Sequence, residues 1–298
     1  MKAILAGLVL TLGVAGQSVA AEWKKLMEPA DLAAVAGPDV VVLDIRAPNQ
    51  FERGSIAGAL NAPYGSWRGP NDNPGQALTD EQLTERMQSL GLEASDRVVV
   101  VYHGANDTDF GSAARVYWTL KSAGLTELAI LNGGLVNWVR SGNTLSTDFG
   151  TAERSSQTFA LAEDWMIDRQ GVLDVVQGKT DAQMIDARPA AFLQGKKKHP
   201  AASRAGTLQG AAQLTHSTWF DAKNPRQVGS VEDVIARAKA AGVEDGQSRP
   251  IASFCNTGHW AATNWFALSE LAGIENVKLY PESMVGWTKA DQPVVTTE

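Results

Sequence analysis

The chain of 298 residues contains a single cysteine, Cys255, and four histidines. A lone thiol cannot form a structural disulfide within the chain. A thioredoxin-type site needs a second cysteine three residues on, where this sequence has Gly258. A cysteine phosphatase needs an arginine six residues after its nucleophile, and that position is Ala261. Zinc wants several Cys or His ligands, and no two histidines are spaced as ligands, so no metal or other cofactor is expected. No long basic stripe runs through a chain of net charge −7, which argues against nucleic acid as a partner. The apolar run from Ala3 to Gly16 is too short for a hydrocarbon core, which needs about 20 residues. With Lys2 before it and the small residues Ser18 to Ala21 after it, the run predicts an export signal cleaved after Ala20 or Ala21. The mature protein is then periplasmic or secreted, with no membrane partner.

What the sequence does have is a duplication. Trp23 precedes "VVLDIRAP" and Trp165 precedes "QMIDARPA", with the same spacing to Asp44 and Asp186. "GSIAGALNAPYGSW" (Gly54 to Trp67) matches "GTLQGAAQLTHSTW" (Gly206 to Trp219), and about ten extra residues lie between Arg188 and Gly206 in the second copy. At the next strand "VVVVYHG" aligns with "PIASFCN", which puts His103 opposite Cys255. The predicted organisation is a signal over residues 1–21, a first domain over 22–145, a linker over 146–162 and a second domain over 163–298.

Short β-branched runs such as Val40 to Leu43 and Val98 to Tyr102 alternate with helical patterns such as Leu78 to Leu90. That alternation predicts an α/β fold, each copy a parallel sheet with helices on both faces. Ligands in such sheets sit beyond the carboxyl ends of strands, where Cys255 falls. Helix periodicity resumes at Ala261 or Ala262 and stops at Gly273, leaving Asn256, Thr257, Gly258, His259 and Trp260 as a tight loop. Amides of such a loop and of the following helix terminus can converge on the sulfur and favour the thiolate, the nucleophilic form. Two other readings stand beside this one. Cys255 could be a small buried hydrophobe, or a Cys–His hydrolase pair with His259, His103, His199 or His216.

These residues resemble the tandem-domain rhodaneses, a family of sulfurtransferases. The resemblance is carried by "DIRAPNQF" and "DARPAAF", by "RGSIAGA" and "RAGTLQGA", by "CNTGHW" as a six-residue active-site loop, and by "LNGGLVNW" and "LYPESMVGW". It implies a catalytic cysteine in the second domain only. Cys255 would take sulfur from a small anionic donor, hold it as a persulfide on the loop amides, and pass it to a thiol, cyanide or a protein acceptor. The family's thiosulfate enzymes have basic and hydroxyl side chains late in the loop, and its mercaptopyruvate enzymes have Gly-Ser-Gly-Val-Thr; here His259 and Trp260 stand there. Mercaptopyruvate enzymes also have an arginine where this chain has Phe192. Thiosulfate is therefore the favoured donor and 3-mercaptopyruvate the second choice. The competing class is a non-enzymatic sulfur-carrying or protein-binding module.

Asp186 and Arg188 recur as Asp44 and Arg46, so both pairs are read as buried charge pairs tying strand ends to loops, with Arg188 also a candidate substrate-binding residue. Arg204, beside the Gly206 turn, and Lys198 and His199 in the insertion are the other substrate-binding candidates. On this reading the lysines of the insertion supply positive charge at the mouth of the site. The repeated tryptophans Trp23, Trp67, Trp138, Trp165, Trp219 and Trp287 are read as core packing.

Overall fold

A computed structural model of the chain describes residues 22–243 and 245–298. The proposed signal lies outside the described residues. Each half is built on a parallel sheet. The first contains β1 (Leu26–Met27), β2 (Val40–Asp44), β3 (Leu60–Asn61), β4 (Arg97–Val101) and β5 (Leu128–Leu131) in the order β1-β5-β4-β2-β3. The second contains β6 (Gln183–Asp186), β7 (Ala212–Gln213), β8 (Ile251–Phe254) and β9 (Val277–Leu279) in the order β7-β6-β8-β9. Met166 adds to β9 through a single parallel bridge to Leu279, so the counterpart of β1 survives as one residue pair.

In the first half, α1 (Pro29–Val35), α2 (Pro48–Phe51), α3 (Asp80–Ser89), α4 (Asp107–Ser122) and α5 (Gly134–Arg140) flank the strands. In the second, α6 (Arg169–Val176), α7 (Ala190–Leu193), α8 (Val231–Ala240), α9 (His259–Trp265) and α10 (Ser283–Lys289) do the same. The central strands β4 and β8 are buried almost throughout, as parallel strands covered on both faces must be. The helical pattern at Leu78–Leu90 is realised as α3. It opens on a capping box in which Thr79 accepts from the Gln82 amide and Gln82 reaches back to the Thr79 amide.

The paired charges that recur in the sequence do the same work twice. Arg46 bonds both oxygens of Asp44 and the Gly54 carbonyl, and Ser55 adds a 2.6 Å bond to Asp44. Arg188 bonds both oxygens of Asp186 and the Gly206 carbonyl, and Thr207 adds a 2.7 Å bond. All four charged side chains are buried, so each pair satisfies groups that would otherwise be costly there. The tryptophans Trp67, Trp138, Trp219 and Trp287 are buried with their indole N–H groups bonded; Trp23 and Trp165 are half-buried.

The segment at 146–162 is strapped to the first half by Ser146–Ser55, Gly150–Ala59, Ser155–Gln88 and Ala162–Ser122 backbone bonds. Phe159 along it is buried in the larger core. That core crosses between the halves, and α4 of the first packs along α9 of the second. A carboxylate secures this seam. Glu270, buried beyond α9, receives Lys121 at 2.8 Å, Lys25 at 3.1 Å and the Tyr117 hydroxyl at 2.8 Å, all from the first half.

Candidate active site

Cys255 is the residue after β8, at the carboxyl end of a central strand, and is 1% exposed. Gly258, in the left-handed region at φ 68°, turns the chain straight into α9, whose first residue is His259. The loop is thus shorter than the periodicity predicts, since His259 and Trp260 already belong to the helix. Both side chains bond to the first half, and Trp260 also packs on Phe192 and His216 of the second. Beyond Trp265 the helix widens into a π-helical stretch, Phe266–Leu271.

Ser283 holds the loop from behind. Its Oγ accepts the amides of Cys255 at 2.9 Å and Gly258 at 3.1 Å and donates to the Tyr280 carbonyl at 2.9 Å. Met284 and Val285 then bond the carbonyls of Cys255 and Asn256. The expectation that the loop amides converge on the sulfur needs refinement here, because two of them are committed to Ser283. Among the described residues, the amides of Asn256, Thr257, His259 and Trp260 have no acceptor in the protein.

The corresponding loop of the first half is built differently. The ladder aligns Asp44 with Val101 and Asp186 with Phe254, so Tyr102, not His103, is the counterpart of Cys255. Leu135 and Val136 bond the carbonyls of Tyr102 and His103 as Met284 and Val285 bond those of Cys255 and Asn256. The alignment slipped by one residue because the four valines of β4 fit either register equally well. In this half the Asp109 carboxylate accepts the amides of Gly104 at 2.8 Å and Ala105 at 3.0 Å, and His103 is exposed. A carboxylate of its own chain therefore caps this loop, which the Cys255 loop does not show among the described residues.

The predicted site residues separate into two groups. Arg188 comes to the loop, with Nη1 3.4 Å from Asn256 Oδ1, while Asp186 holds it in place. His199 lies where Arg68 and Lys198 both act on it; burial first, then these two cations, push its pKa down. Lys198 is exposed and bonds the Ala202 carbonyl at 2.7 Å. Arg204 is placed elsewhere: it pairs with Asp291 at 3.1 Å and bonds the Gln292 carbonyl, near the chain's end.

The first half supplies groups that no reading of one copy reveals. Arg68 donates to the Thr257 carbonyl at 2.9 Å and to the Tyr64 hydroxyl, and Tyr64 is 2.8 Å from His259 Nδ1. His259 Nε2 lies 2.7 Å from the Thr108 carbonyl, which can only accept, so Nε2 carries the proton and Nδ1 accepts from Tyr64. Burial, reinforced by Arg68, pushes the His259 pKa down to about 3. A neutral, doubly bonded imidazole is a strut between the halves, unsuited to the general-base role of a Cys–His hydrolase. His216, the repeat counterpart of Tyr64, stacks on Trp260 with centroids 4.5 Å apart, and Phe192 meets the same indole edge-on at 6.0 Å. Burial pushes its pKa down too.

From α4, Thr108 bonds both His259 and Trp260, and a Cβ on Gly111 would stand 2.7 Å from the His259 ring. One turn further, Arg115 lies against the Gly258 turn. Thr108, Gly111 and Arg115 share one helical face. The signal in the sequence was a lone arginine inside the otherwise small and apolar stretch "FGSAARVYW". Among the described residues no His, Cys, Asp and Glu cluster could hold a metal ion.

The family model of the Rhodanese-like domain matches residues 28–141 and 171–290. A putative thiosulfate sulfurtransferase of Synechococcus elongatus is 26% identical over 264 residues, covering 86% of this chain and 79% of its own. The 3-mercaptopyruvate sulfurtransferase of Escherichia coli K12 is 28% identical over 272 residues, covering 86% and 92%. Among solved structures, SseA of Escherichia coli, a 3-mercaptopyruvate sulfotransferase, matches with a TM-score of 0.72 at 24% identity, over 87% of this chain and 98% of that one. The anaerobic ergothioneine biosynthesis enzyme of Chlorobium limicola matches at 0.77 and 17%, over 92% and 70%. These two likenesses show the fold.

Proposed function

This chain belongs to the rhodanese family in both of its halves, and from that premise we propose that it is a sulfurtransferase working through Cys255, with thiosulfate as the favoured donor. The observation that carries the proposal is the contrast between the two loops. One has a cysteine in a loop with four amides that have no acceptor among the described residues; its counterpart has Tyr102 and loop amides bonded by Asp109.

In the first half-reaction the Cys255 thiolate attacks the outer sulfur of thiosulfate. A Sγ–S bond forms, the donor's S–S bond breaks, and its electron pair leaves with sulfite, so no external oxidant or reductant is required. The outer sulfur of the persulfide then carries the negative charge, which the amides of Asn256, Thr257, His259 and Trp260 are available to receive. An acceptor such as cyanide or a thiol takes that sulfur and returns the thiolate. Asn256, bonded by Arg188, and Gly258 keep the loop in its turn.

Two features favour thiosulfate over a carboxylate-bearing donor. Phe192 packs against Trp260 where an arginine would be needed for a carboxylate, and Arg188 is spent on Asp186 and Gly206. Lys196, Lys197 and Lys198, on the insertion that carries His199 toward Arg68, would provide a positive approach for a small dianion. Export, with cleavage after Ala20 or Ala21, is part of the same proposal and rests on the sequence pattern alone; N-terminal sequencing of the mature protein tests it.

The donor is tested by steady-state transfer to cyanide with thiosulfate or 3-mercaptopyruvate, using the protein and its Cys255→Ser variant. Thiocyanate should form faster with thiosulfate and not at all in the variant. Faster turnover with 3-mercaptopyruvate would overturn the donor assignment, and transfer by Cys255→Ser would overturn the site.

A further inference from the structure

One buried charge in the molecule has no anion among the described residues. Arg115, on α4 of the half without the cysteine, is 0% exposed. Its Nη2 donates to the Gly75 carbonyl at 3.0 Å, while Nε and Nη1 have no acceptor. The guanidinium rests over the Trp118 ring, 5.0 Å from its centroid, and Nη1 occupies the space a Cβ would take on Gly258. It therefore lies on the turn of the active-site loop itself.

The titratable groups that bear on Arg115 are Arg68, which opposes its charge, and Tyr64 and Cys255, which as anions would favour it. Burial, with Arg68 adding to it, pushes the guanidinium pKa down to about 9. A buried cation left without an anion is strongly destabilising, and near neutral pH a guanidinium does not relieve this by shedding its proton. Tyr64 cannot be the partner, because its hydroxyl accepts from Arg68 and donates to His259, and burial holds it above the ordinary phenol range. Cys255 remains.

We propose that Arg115 is the counter-cation of the Cys255 thiolate and persulfide, so that the half of the molecule without a nucleophile supplies the charge its partner's loop lacks. The persulfide part rests on the sulfur-transfer reading; the thiolate part does not. The chemistry suits a fixed cation. Thiolate and persulfide each carry one negative charge at the end of the same side chain, so Arg115 is compensated before and after sulfur arrives. It also accounts for a loop, "CNTGHW", with no lysine or arginine of its own.

The test uses neutral iodoacetamide on the full chain and its Arg115→Gln and Arg115→Lys variants, at about pH 7 and about pH 10. The other titratable groups around the loop are Arg68, Tyr64, His259, His216 and the Asp186–Arg188 pair, and they are the same in all three proteins. Arg115→Gln should be alkylated about tenfold more slowly at about pH 7 and at the wild-type rate at about pH 10. Arg115→Lys, which keeps the charge, should stay within a few-fold of wild type at both. Equal rates at neutrality, or equal slowing at both pH values, would overturn the proposal. Should Arg115→Gln fold poorly, Cys255→Ala supplies a second test. It strands Arg115, so near pH 8 it should melt several degrees below wild type. A melting temperature within about one degree of wild type would overturn the proposal as well. No sulfur donor enters either measurement, so a chain that takes sulfur from no donor would sink the sulfur-transfer reading while leaving the role of Arg115 legible.

Discussion

Replacing Ser283 by alanine removes one oxygen, and three hydrogen bonds go with it. Ser283 is fully buried, accepts from the Cys255 and Gly258 amides and donates to the Tyr280 carbonyl. Two donors and one acceptor lose their partner, and each buried donor left unmade costs about 1–3 kcal/mol. Allowing for partial relaxation, the variant should lose about 2–4 kcal/mol. Ser283 also has φ 51°, in the left-handed region, and alanine keeps the Cβ that is strained there. Ser283→Gly loses the same bonds but relieves about 1 kcal/mol of that strain. Glycine is what the first half has at this place, as Gly134 with φ 60°. Thermal unfolding separates the variants. At about 2–4 °C per kcal/mol, Ser283→Ala should melt about 4–16 °C below wild type and Ser283→Gly a few degrees above Ser283→Ala. An alanine variant melting within about one degree of wild type, or a glycine variant melting below it, would refute Ser283 as the loop's anchor.

Two further perturbations probe the seam and the approach. Burial pushes the Glu270 carboxyl up, but Lys121, Lys25 and Tyr117 outweigh it and hold it below its ordinary range. A lowered folded value gives stability that is present above the unfolded pKa and lost as pH falls through the folded one. Glu270→Gln should therefore cost about 2–4 kcal/mol near neutrality, little of it from half-exposed Lys25, and the gap to wild type should close in acid. Melting curves that stay equally far apart down to acid pH would contradict that assignment. Replacing Lys196, Lys197 and Lys198 together by alanine should raise the donor KM and flatten its dependence on salt, which screens such a field over about 8 Å at physiological ionic strength. Unchanged donor kinetics across a range of salt would reduce the insertion to a loop.

Much of this architecture is legible in the sequence because its signals are local. The strand ending at Asp186 and the strand before Cys255 announce themselves by β-branched and apolar runs, and the repeat fixes their order. Asp186 and Arg188 are readable as a structural pair because their copies lack the cysteine, and the same three-way bond recurs in both halves. Local pattern also misleads where it is degenerate. The valines of β4 admit two registers, which is how His103 came to stand where Tyr102 belongs. Arg204 has no periodic neighbour to indicate its partner, and it pairs with Asp291 in the last turn of the chain.

What the sequence withholds is the docking of one half on the other. Tyr64, Arg68, Thr108 and Arg115 reach the Cys255 loop across a gap of more than a hundred residues in the chain, and no spacing rule connects them to it. Only a lone arginine in an apolar helix hinted at a buried charge in need of an anion. The expectation that the loop amides converge on the sulfur did not include Ser283, which takes two of them.

Whether Cys255 carries sulfur can be read from the mass of the intact protein after incubation with thiosulfate and removal of excess donor. The protein should gain about 32 Da, one sulfur atom, and the gain should disappear on addition of cyanide and be absent in Cys255→Ser. No gain from thiosulfate or any other sulfane donor, or an equal gain in Cys255→Ser, would contradict sulfur carriage by Cys255.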